Sequence, residues 1–547
     1  MGMTARLVGG AGTGKTRELI EIMERAKAGL GGSPFALGFA SFTRAARTEA
    51  AQRAADAWGI PAEVLTRDGW FKTAHATAYR QLGIKKGQLL GTDKESQLWL
   101  AEALGVDVRV ILDADTGRSQ YTGDHAASRA IQAWEISRAR VEPLRETIKR
   151  MAAYGEQTPT WGEVRQYVTK YEAAKRSDDR FDYSDLLSRF AGIRFHADGF
   201  DEVQPEGETP PSVRAWIFDE AQDASELVHR VCLRLSESPI VQWTYLAGDP
   251  FQSVFSFGGS DSKHFMNWKA DKEKVMPRSW RCPAPILELG EKCLRRMRNG
   301  YWDRGIAPAD HDGIIEQSSN PTSSISSLCA ETDTLILARC KYTLKGYSEA
   351  LRRMNLPHAM LNDSRDTQIL RAYRAYWDLE HNEAVTGEDL ACAIQATPTK
   401  SLKGALLNRG VKAAWGRSEI VRGWDMVVQD NLADIGMTPE LVEKIKQGQW
   451  GGLLHNAERW REAARKYGPD LATAPRIRLG TIHSTKGMEA DTVVLSTAVS
   501  RKVSESQETN PEIYDEEKRV EYVAVTRSKR RLIISHDPSD HAMRLPL

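Results

Sequence analysis

Residues 9–16 read G-G-A-G-T-G-K-T, a spacing of glycines, lysine and threonine that can hold a phosphate group. Glycine-rich backbone turns successive N–H groups toward one anion, and a helix that begins there adds its dipole. In this pattern Lys15 reaches the β- and γ-phosphates, while the Thr16 hydroxyl binds Mg²⁺. The segment therefore predicts a nucleoside triphosphate site. Its other predicted contact residues are Gly9, Gly12, Thr13 and Gly14.

Two carboxylates predict the rest of a phosphoryl-transfer site. Asp219 and Glu220 follow the apolar residues 215–218, which are typical of a buried strand. A carboxylate at a strand end can hold the Mg²⁺ water shell, and a second one can orient and deprotonate the attacking water. We assign Asp219 to the metal and Glu220 to the base. Gln252, which follows a strand candidate at 245–247, can sense the γ-phosphate.

The elements that must position these side chains alternate strand, loop and helix along the chain. Residues 5–8 predict a strand before the phosphate loop, and apolar residues recur at helical spacing after it. Further strand candidates lie at 334–338, 492–495 and 531–534, so we expect parallel α/β layers. The Ser-rich residues 318–327 predict an exposed loop.

Composition excludes several classes of protein. The chain has 547 residues, of which 41% are apolar and 27% charged, and its net charge is +1. We therefore expect a soluble protein in which any contact with nucleic acid depends on local charge. The six cysteines form no C-x-x-C pair, which argues against a zinc site and favours a reducing cytoplasm. No secretion signal or membrane span is predicted.

Motifs spread along the chain resemble those of superfamily 1 helicases of the UvrD/Rep type, in the order that the family has them. Besides the phosphate loop they are residues 39–46 (F-A-S-F-T-R-A-A), 73–76 (T-A-H-A), 181–187 (F-D-Y-S-D-L-L), 219–223 (D-E-A-Q-D), 248–255 (G-D-P-F-Q-S-V-F), 278–281 (R-S-W-R), 481–489 (T-I-H-S-T-K-G-M-E) and 521–527 (E-Y-V-A-V-T-R).

The resemblance implies two RecA-like parallel-sheet P-loop domains, each with a largely helical insertion, and ATP in the cleft between them. We expect the first domain at 1–84 and 181–284, with its insertion at 85–180. We expect the second domain at 285–362 and 472–547, with its insertion at 363–471.

The resemblance also implies roles for residues that no local pattern assigns. Arg281 and Arg527 would reach ATP from the second lobe as arginine fingers, and Trp280 would stack on adenine. Gly487 and Glu489 would meet the nucleotide, with Glu489 at the ribose. The residues implied in nucleic-acid contact are Phe42, Thr73, His75, Phe257 and His483.

The insertions are open to more than one interpretation. Residues 85–180 carry a basic cluster that forms either a solvated helix face or a phosphate-binding surface on a DNA track. Its members are Arg138, Arg140, Arg145, Lys149 and Arg150. Residues 363–471 contain Trp415, Trp424, Trp450 and Trp460, which we expect in a core.

The predicted function is that of an ATP-dependent DNA helicase or single-stranded DNA translocase, for which the resemblance implies 3′→5′ movement. Its expected partners are single-stranded DNA, tailed duplexes and other proteins, with no membrane. A nucleotide-driven switch or loading subunit of a larger recombination or defence complex is the alternative, and an RNA helicase shares the same motor. Only eight residues precede Gly9 and 20 follow Arg527. We therefore expect relaxed selectivity for adenine, no fused nuclease, and translocation or protein displacement in preference to unwinding.

Overall fold

The computed structural model describes residues 2–41, 44–112, 119–154, 158–361, 364–401, 404–416, 426–539 and 541–547. Its contacts divide the chain into two compact units. Unit 1 comprises Met1–Ile314, Ser500–Arg530 and Met543–Leu547, and unit 2 comprises Ile315–Val499 and Arg531–Ala542. The predicted domain boundaries, which follow the motifs and not the packing, stay a prediction.

The strands are β1 (Met3–Val8), β2 (Leu37–Ser41), β3 (Trp70–Lys72), β4 (Val108–Leu112), β5 (Ser119–Gly123), β6 (Ile193–His196), β7 (Gly199–Glu202), β8 (Ala215–Asp219), β9 (Trp243–Gly248), β10 (Lys272–Val275), β11 (Arg278–Pro283), β12 (Ala307–Ala309), β13 (Ile314–Ser318), β14 (Thr334–Ala338), β15 (His358–Met360), β16 (Ile477–Thr481), β17 (Ala490–Ser496) and β18 (Ser528–Ser535).

The α-helices are α1 (Lys15–Gly29), α2 (Arg44–Trp58), α3 (Ala62–Arg67), α4 (Ala74–Leu82), α5 (Lys94–Leu104), α6 (His125–Arg140), α7 (Leu144–Ala153), α8 (Trp161–Ser177), α9 (Tyr183–Ala191), α10 (Glu226–Ser236), α11 (Ser262–Asn267), α12 (Ala284–Arg295), α13 (Pro321–Ile325), α14 (Leu344–Arg353), α15 (Ser364–Glu380), α16 (Gly387–Ala396), α17 (Val411–Trp415), α18 (Pro439–Lys446), α19 (Ala457–Tyr467), α20 (Pro469–Thr473), α21 (Arg501–Thr509) and α22 (Pro511–Val525).

A parallel sheet in unit 1 positions the phosphate loop. Its strand order is β10-β1-β9-β8-β2-β3, and every neighbouring pair is parallel. Apolar clusters that include Leu227 and Leu19 pack on its helices and strands. Because carboxyl ends of parallel strands share one edge, the ends of β1, β8 and β9 bring Gly9, Asp219 and Gly248 to the same side of the sheet.

A second sheet has the order β13-β18-β17-β14-β16-β15, and β14 runs parallel to both β16 and β17. All five side chains of β14 are buried. The strands predicted at 334–338, 492–495 and 531–534 all lie in this sheet. The two sheets confirm the predicted α/β class with parallel layers.

Both predicted insertions are largely helical. Residues 85–180 hold α5 to α8 and the β4–β5 hairpin, with Trp134 buried in their core. Residues 363–471 hold α15 to α20. Trp415, Trp450 and Trp460 lie in the core of that helical part, as expected, whereas Trp424 lies outside the described residues.

The prediction of an exposed loop at 318–327 is wrong about the loop, because α13 lies within it, whereas most of these residues are exposed as predicted. The Asn320 side chain accepts a hydrogen bond from the Ser323 N–H at 2.9 Å, which caps the helix, and Pro321 supplies a favourable first residue. Ile325 is completely buried against the second sheet's core. The serine content of the segment alone predicts neither the helix cap nor the buried isoleucine.

The basic cluster of the first insertion is solvated only in part. Arg138 is 1% exposed and pairs with Asp182 at 2.7 Å, and Lys175 pairs with the same carboxylate at 2.7 Å. Arg145 lies 3.8 Å from the Trp161 ring centroid, and Arg150 contacts Glu142 and Glu512. Lys149 remains exposed beside Glu146. Carboxylates therefore pair with Arg138 and Arg150, whereas Arg145 and Lys149 stay exposed.

Among the described helices, none combines the length and the apolar character that a bilayer crossing requires.

Candidate active site

The phosphate loop begins directly at the end of β1. The Gly9 N–H donates to the Gly248 carbonyl at 3.0 Å, which ties the loop to β9. Gly12 and Gly14 have φ of 64° and 81°, a left-handed conformation that favours glycine. Gly14 is the N-cap of α1, so the helix starts at Lys15 with its N–H groups and dipole facing the loop.

Side chains within the loop hold its shape. The Thr13 hydroxyl donates to the Gly10 carbonyl at 3.1 Å. The Lys15 ammonium donates to the carbonyls of Gly9 and Gly10 at 3.4 and 3.2 Å. Lys15 thus lies over the loop that would carry the phosphates, and Thr16 follows it in the first turn of α1.

Asp219 and Glu220 stand at the end of β8, as predicted. The Asp219 carboxylate accepts a hydrogen bond from the Glu220 N–H at 2.9 Å, and Glu220 has a φ of 53°. That conformation is strained for a residue with a side chain and is typical of functional sites. The Gln222 amide donates to the Glu220 carboxylate at 2.5 Å and accepts from the Asp249 N–H at 3.0 Å, which fixes Glu220 relative to β9.

The electrostatics around Asp219 suit a divalent cation. Burial, with repulsion from Glu220, raises the pKa of Asp219 to about 7, although Lys15 and the Glu220 N–H oppose this rise. A cation beside this buried carboxylate would keep it ionised. The Thr16 hydroxyl and Asp219 are hard oxygen donors of the kind that Mg²⁺ prefers, so these residues fit that ion.

Glu172, Asp182 and Asp185 also lie close enough to one another to share a metal ion. Lys175 lies 2.7 to 3.0 Å from all three carboxylates. An amino group therefore occupies the position of an ion, and the group is an ion-pair network.

Residues 279–281 pack directly on the phosphate loop. The Ser279 hydroxyl donates to the Ala11 carbonyl and the Trp280 N–H to the Gly12 carbonyl, both at 2.8 Å. A Cβ atom added to Gly12 would lie 2.2 Å from the Cβ of Arg281, so only glycine fits there. Trp280 is 65% exposed, and its ring lies beside Gly14.

Arg527 and Gln252 are in contact. The Arg527 guanidinium donates to the Gln252 amide oxygen at 3.2 Å and to the Val523 carbonyl at 2.9 Å. The Gln252 amide donates in turn to Asp249 at 2.8 Å. The structure therefore brings Lys15, Asp219, Glu220, Gln252, Trp280, Arg281 and Arg527 together within unit 1.

The two arginines form a cationic pair. The Arg281 guanidinium donates to the Thr526 carbonyl at 3.3 Å, directly before Arg527 in the chain. Burial, and then repulsion from Arg281, lowers the pKa of Arg527 to about 10. Two neighbouring guanidiniums that repel each other beside a phosphate loop are suited to bind an anion.

Sequence reasoning missed two residues of this site, Tyr522 and Arg304. Tyr522 accepts a hydrogen bond from the Ala11 N–H at 3.0 Å and donates to Asp249 at 3.3 Å, so it links α22 to the loop. Arg304 donates to Asp249 at 2.7 Å and to Glu291 at 2.6 Å. Tyr522 lies inside a recognised motif that offered a signal, whereas Arg304 lies in none.

The predicted nucleic-acid residues are distributed over both units. In unit 1, the Thr73 hydroxyl is the N-cap of α4 and accepts a hydrogen bond from the Ala76 N–H at 3.2 Å. The ring centroids of His75 and Tyr183 lie 6.0 Å apart. Phe257 is 40% exposed. Phe42 lies outside the described residues.

Unit 2 holds the predicted residues that follow β16. His483 is buried there, and Gly487 has a φ of 85° in the turn before β17. Glu489 is partly exposed, one residue before β17 begins.

Two family models match the chain. The model of the UvrD/REP helicase N-terminal domain matches residues 2–273, and that of the UvrD-like helicase C-terminal domain matches residues 464–538. The first match includes the phosphate loop, Asp219, Glu220 and Gln252, and the second includes His483 and Arg527.

Whole proteins are similar at lower identity. ATP-dependent DNA helicase UvrD2 of Mycobacterium tuberculosis is 25% identical over 97% of this chain and 76% of its own length. ATP-dependent DNA helicase PcrA of Leuconostoc citreum is 24% identical over 82% of this chain and 59% of its own length. Putative ATP-dependent DNA helicase YjcD of Bacillus subtilis is 23% identical, over 97% and 76% respectively.

Proposed function

We propose that this chain, which belongs to the UvrD/REP helicase family, couples ATP hydrolysis at the Lys15 loop to 3′→5′ movement along single-stranded DNA. The observation that carries the proposal is the convergence of Arg281, Arg527 and Gln252 on the end of the sheet that holds the phosphate loop. Lobe movement and polarity are part of the proposal, and the family resemblance supports them.

The proposed chemistry follows from the positions of the side chains. Lys15 and the loop N–H groups bind the β- and γ-phosphates, and Glu220 accepts a proton from the attacking water. Arg281 and Arg527 stabilise the charge that spreads over the γ-phosphate oxygens, since guanidinium groups stay protonated and bind such oxygens well. Thr16 and Asp219 would hold Mg²⁺, which neutralises phosphate charge when it is bound.

Single-stranded DNA is the proposed track. An aromatic ring binds a base by stacking without regard to sequence, and Phe257, which is 40% exposed, suits this role. We propose that Thr73, His75, His483 and Phe42 make further contacts with the strand. The ribose contact of Glu489 and the nucleotide contact of Gly487 belong to the same proposal, as does a cytoplasmic location, which suits the free cysteines.

The test is steady-state ATP turnover by the whole chain, with and without oligo(dT) and with oligo(rU) as an RNA comparison. We expect strong stimulation by oligo(dT). Lys15→Ala should abolish turnover in both conditions. Lys27→Ala is the control, because Lys27 lies about 18 Å along the same helix and contacts the Trp58 ring instead.

Duplexes with a 3′ or a 5′ single-stranded tail test direction and unwinding. The proposal expects displacement from the 3′-tailed substrate only. Turnover that oligo(dT) leaves unchanged would favour a nucleotide switch or loading subunit, and equal stimulation by oligo(rU) would extend the track to RNA. Normal turnover by Lys15→Ala would remove the phosphate-loop assignment.

A further inference from the structure

The segment between Asp249 and Gly259 joins the ATP side of unit 1 to an exposed aromatic ring. Gln252 lies near its start, where it contacts Asp249 and Arg527. Phe257 lies near its end, in a short turn at Ser256–Gly258. A shift at one end of so short a segment can be transmitted to the other end if one rigid element contacts both ends.

Helix α22 contacts this segment at three points. Arg527 lies just past its carboxyl end and bonds Gln252, and the Arg519 guanidinium donates to the Ser253 carbonyl at 2.8 Å. Glu516 accepts from the Ser256 N–H at 3.0 Å and also from the Ser256 hydroxyl. The ten helical residues from Glu516 to Val525 span about 14 Å, and Arg527 follows two residues later, so α22 rigidly connects the Ser256 contact to the region of the Gln252 contact.

The Glu516–Ser256 contact is buried and reinforced by the helical insertion. Glu516 is 5% exposed. The Tyr154 hydroxyl lies 3.3 Å from the Ser256 hydroxyl, and the Arg140 guanidinium donates to the Ser256 carbonyl. Ser256 is thus held by α22, by the end of α6 and by the residue after α7, directly beside the exposed ring of Phe257.

We propose that Glu516 is a positioning residue for DNA-dependent ATP hydrolysis. Through Ser256 it sets the position of the Phe257 ring relative to the Arg527–Gln252 pair, so that a base stacked on Phe257 changes the alignment of the pair at the γ-phosphate. This role rests on the proposed function and adds a specific mechanical link to it. Glu516 touches neither nucleotide nor DNA in this scheme.

The experiment compares ATP turnover without DNA and at saturating oligo(dT) in the full chain. Glu516→Ala should reduce the ratio of DNA-saturated to DNA-free turnover at least fivefold and raise the oligo(dT) concentration that gives half stimulation. Ser256→Ala should reduce the ratio less, because its backbone N–H still donates to Glu516. Glu516→Gln should restore most of the ratio, since its amide oxygen can accept that N–H.

Glu512→Ala is the matched control. Glu512 lies one turn earlier on α22 and is 65% exposed, where it contacts Arg150 and not Ser256. The ratio of DNA-saturated to DNA-free turnover in Glu512→Ala should stay within twofold of that in the unmodified chain. A further test combines Glu516→Ala with Phe257→Ala. The double variant should lower the ratio of DNA-saturated to DNA-free turnover no more than Phe257→Ala alone does, because both substitutions act through the same ring.

Two outcomes would overturn the inference. In the first, Glu516→Ala and Ser256→Ala both keep the same ratio of DNA-saturated to DNA-free turnover as the control Glu512→Ala. The other is a loss of DNA-free and DNA-saturated turnover by the same factor, which indicates a structural role only. Should Glu516→Ala not fold, as judged by circular dichroism, Ser256→Ala decides by the same criteria. Absence of stimulation in the unmodified chain would instead refute the proposed function, and this inference with it.

Discussion

Arg304 and Asp249 form an ion pair of 2.7 Å in which neither side chain is exposed to solvent. Burial alone would lower the pKa of Arg304, but the Tyr522 hydroxyl, Asp249 and Glu291 together raise it, so the guanidinium stays charged. Asp249 also accepts from the Gln252 amide at 2.8 Å. The pair therefore anchors the group that contacts Arg527.

Loss of this cation should destabilise the protein strongly. Arg304→Ala leaves the carboxylate of Asp249 buried without its partner, and breaking such a pair costs about 3–5 kcal/mol. We expect the free energy of unfolding, measured by urea denaturation, to fall by that amount. Arg501→Ala removes an exposed pair with Glu505 and should leave the free energy of unfolding nearly unchanged, because solvent screens such a pair. Equal effects of the two substitutions would contradict the anchoring role.

The sequence predicted those parts of the site whose geometry is local. The left-handed conformations of Gly12 and Gly14 are set by glycines inside one short loop. A strand followed at once by Asp219 and Glu220 is likewise a local pattern, and the structure has it. Recognised motifs supplied Arg281 and Arg527, which no local pattern distinguishes from surface arginines.

Residues whose role depends on distant partners could not be predicted. The burial of Arg138 depends on Asp182, 44 residues further along the chain. Arg304 and Glu516 have their roles only because Asp249 and Ser256 lie against them in the folded chain. The helix α13 escaped prediction for a different reason, since the Ser-rich composition concealed an Asn320 cap and one buried isoleucine.

Substitution of Gly12 should separate backbone strain from steric displacement at the active site. A Cβ atom at Gly12 would strain a backbone with a φ of 64° and would lie 2.2 Å from the Cβ of Arg281. We expect Gly12→Ala to displace Arg281 and to lower kcat/KM for ATP at least tenfold.

The matched control for that substitution is Gly31→Ala. Gly31 has a φ of 80°, and a Cβ there would meet nothing within 4 Å. This control should cost only the strain of the left-handed conformation, about 1–2 kcal/mol of stability, with kcat/KM unchanged. A similar kcat/KM for the two variants would show that the contact with Arg281 is unimportant.

The pH dependence of stability should reveal the neutral state of His358 in unit 2. Its Nδ1–H donates to the Leu356 carbonyl at 2.9 Å, so its Nε2 accepts from the Ser348 hydroxyl at 2.9 Å. Burial, and then the charges of Arg352 and Arg459, lowers the pKa of His358 to about 4, although the Leu356 bond opposes this shift.

Between pH 6.5 and 4 the unfolded chain therefore binds a proton that folded His358 does not, and stability falls as the pH falls. Below pH 4 the free energy of unfolding has lost about 3 kcal/mol through this group. In His358→Gln this part of the slope should disappear when the free energy of unfolding is measured from pH 7 to pH 4. A slope identical to that of the unmodified chain would assign the acid sensitivity to other groups.

We expect the exposed ring of Trp280 to bind the nucleotide base by stacking. Trp280 is 65% exposed, with its ring beside the N-cap of α1, and its backbone N–H donates to the Gly12 carbonyl at 2.8 Å, which holds the residue against the phosphate loop. Stacking of one base on an aromatic ring contributes about 1–3 kcal/mol, so Trp280→Ala should raise the KM for ATP roughly 5- to 150-fold. Trp280→Tyr retains a ring and should recover most of the loss. Because stacking does not distinguish one base from another, the KM for GTP should rise by the same factor. A rise for ATP alone would mean that hydrogen bonds to the adenine edge, and not the indole face, select the nucleotide.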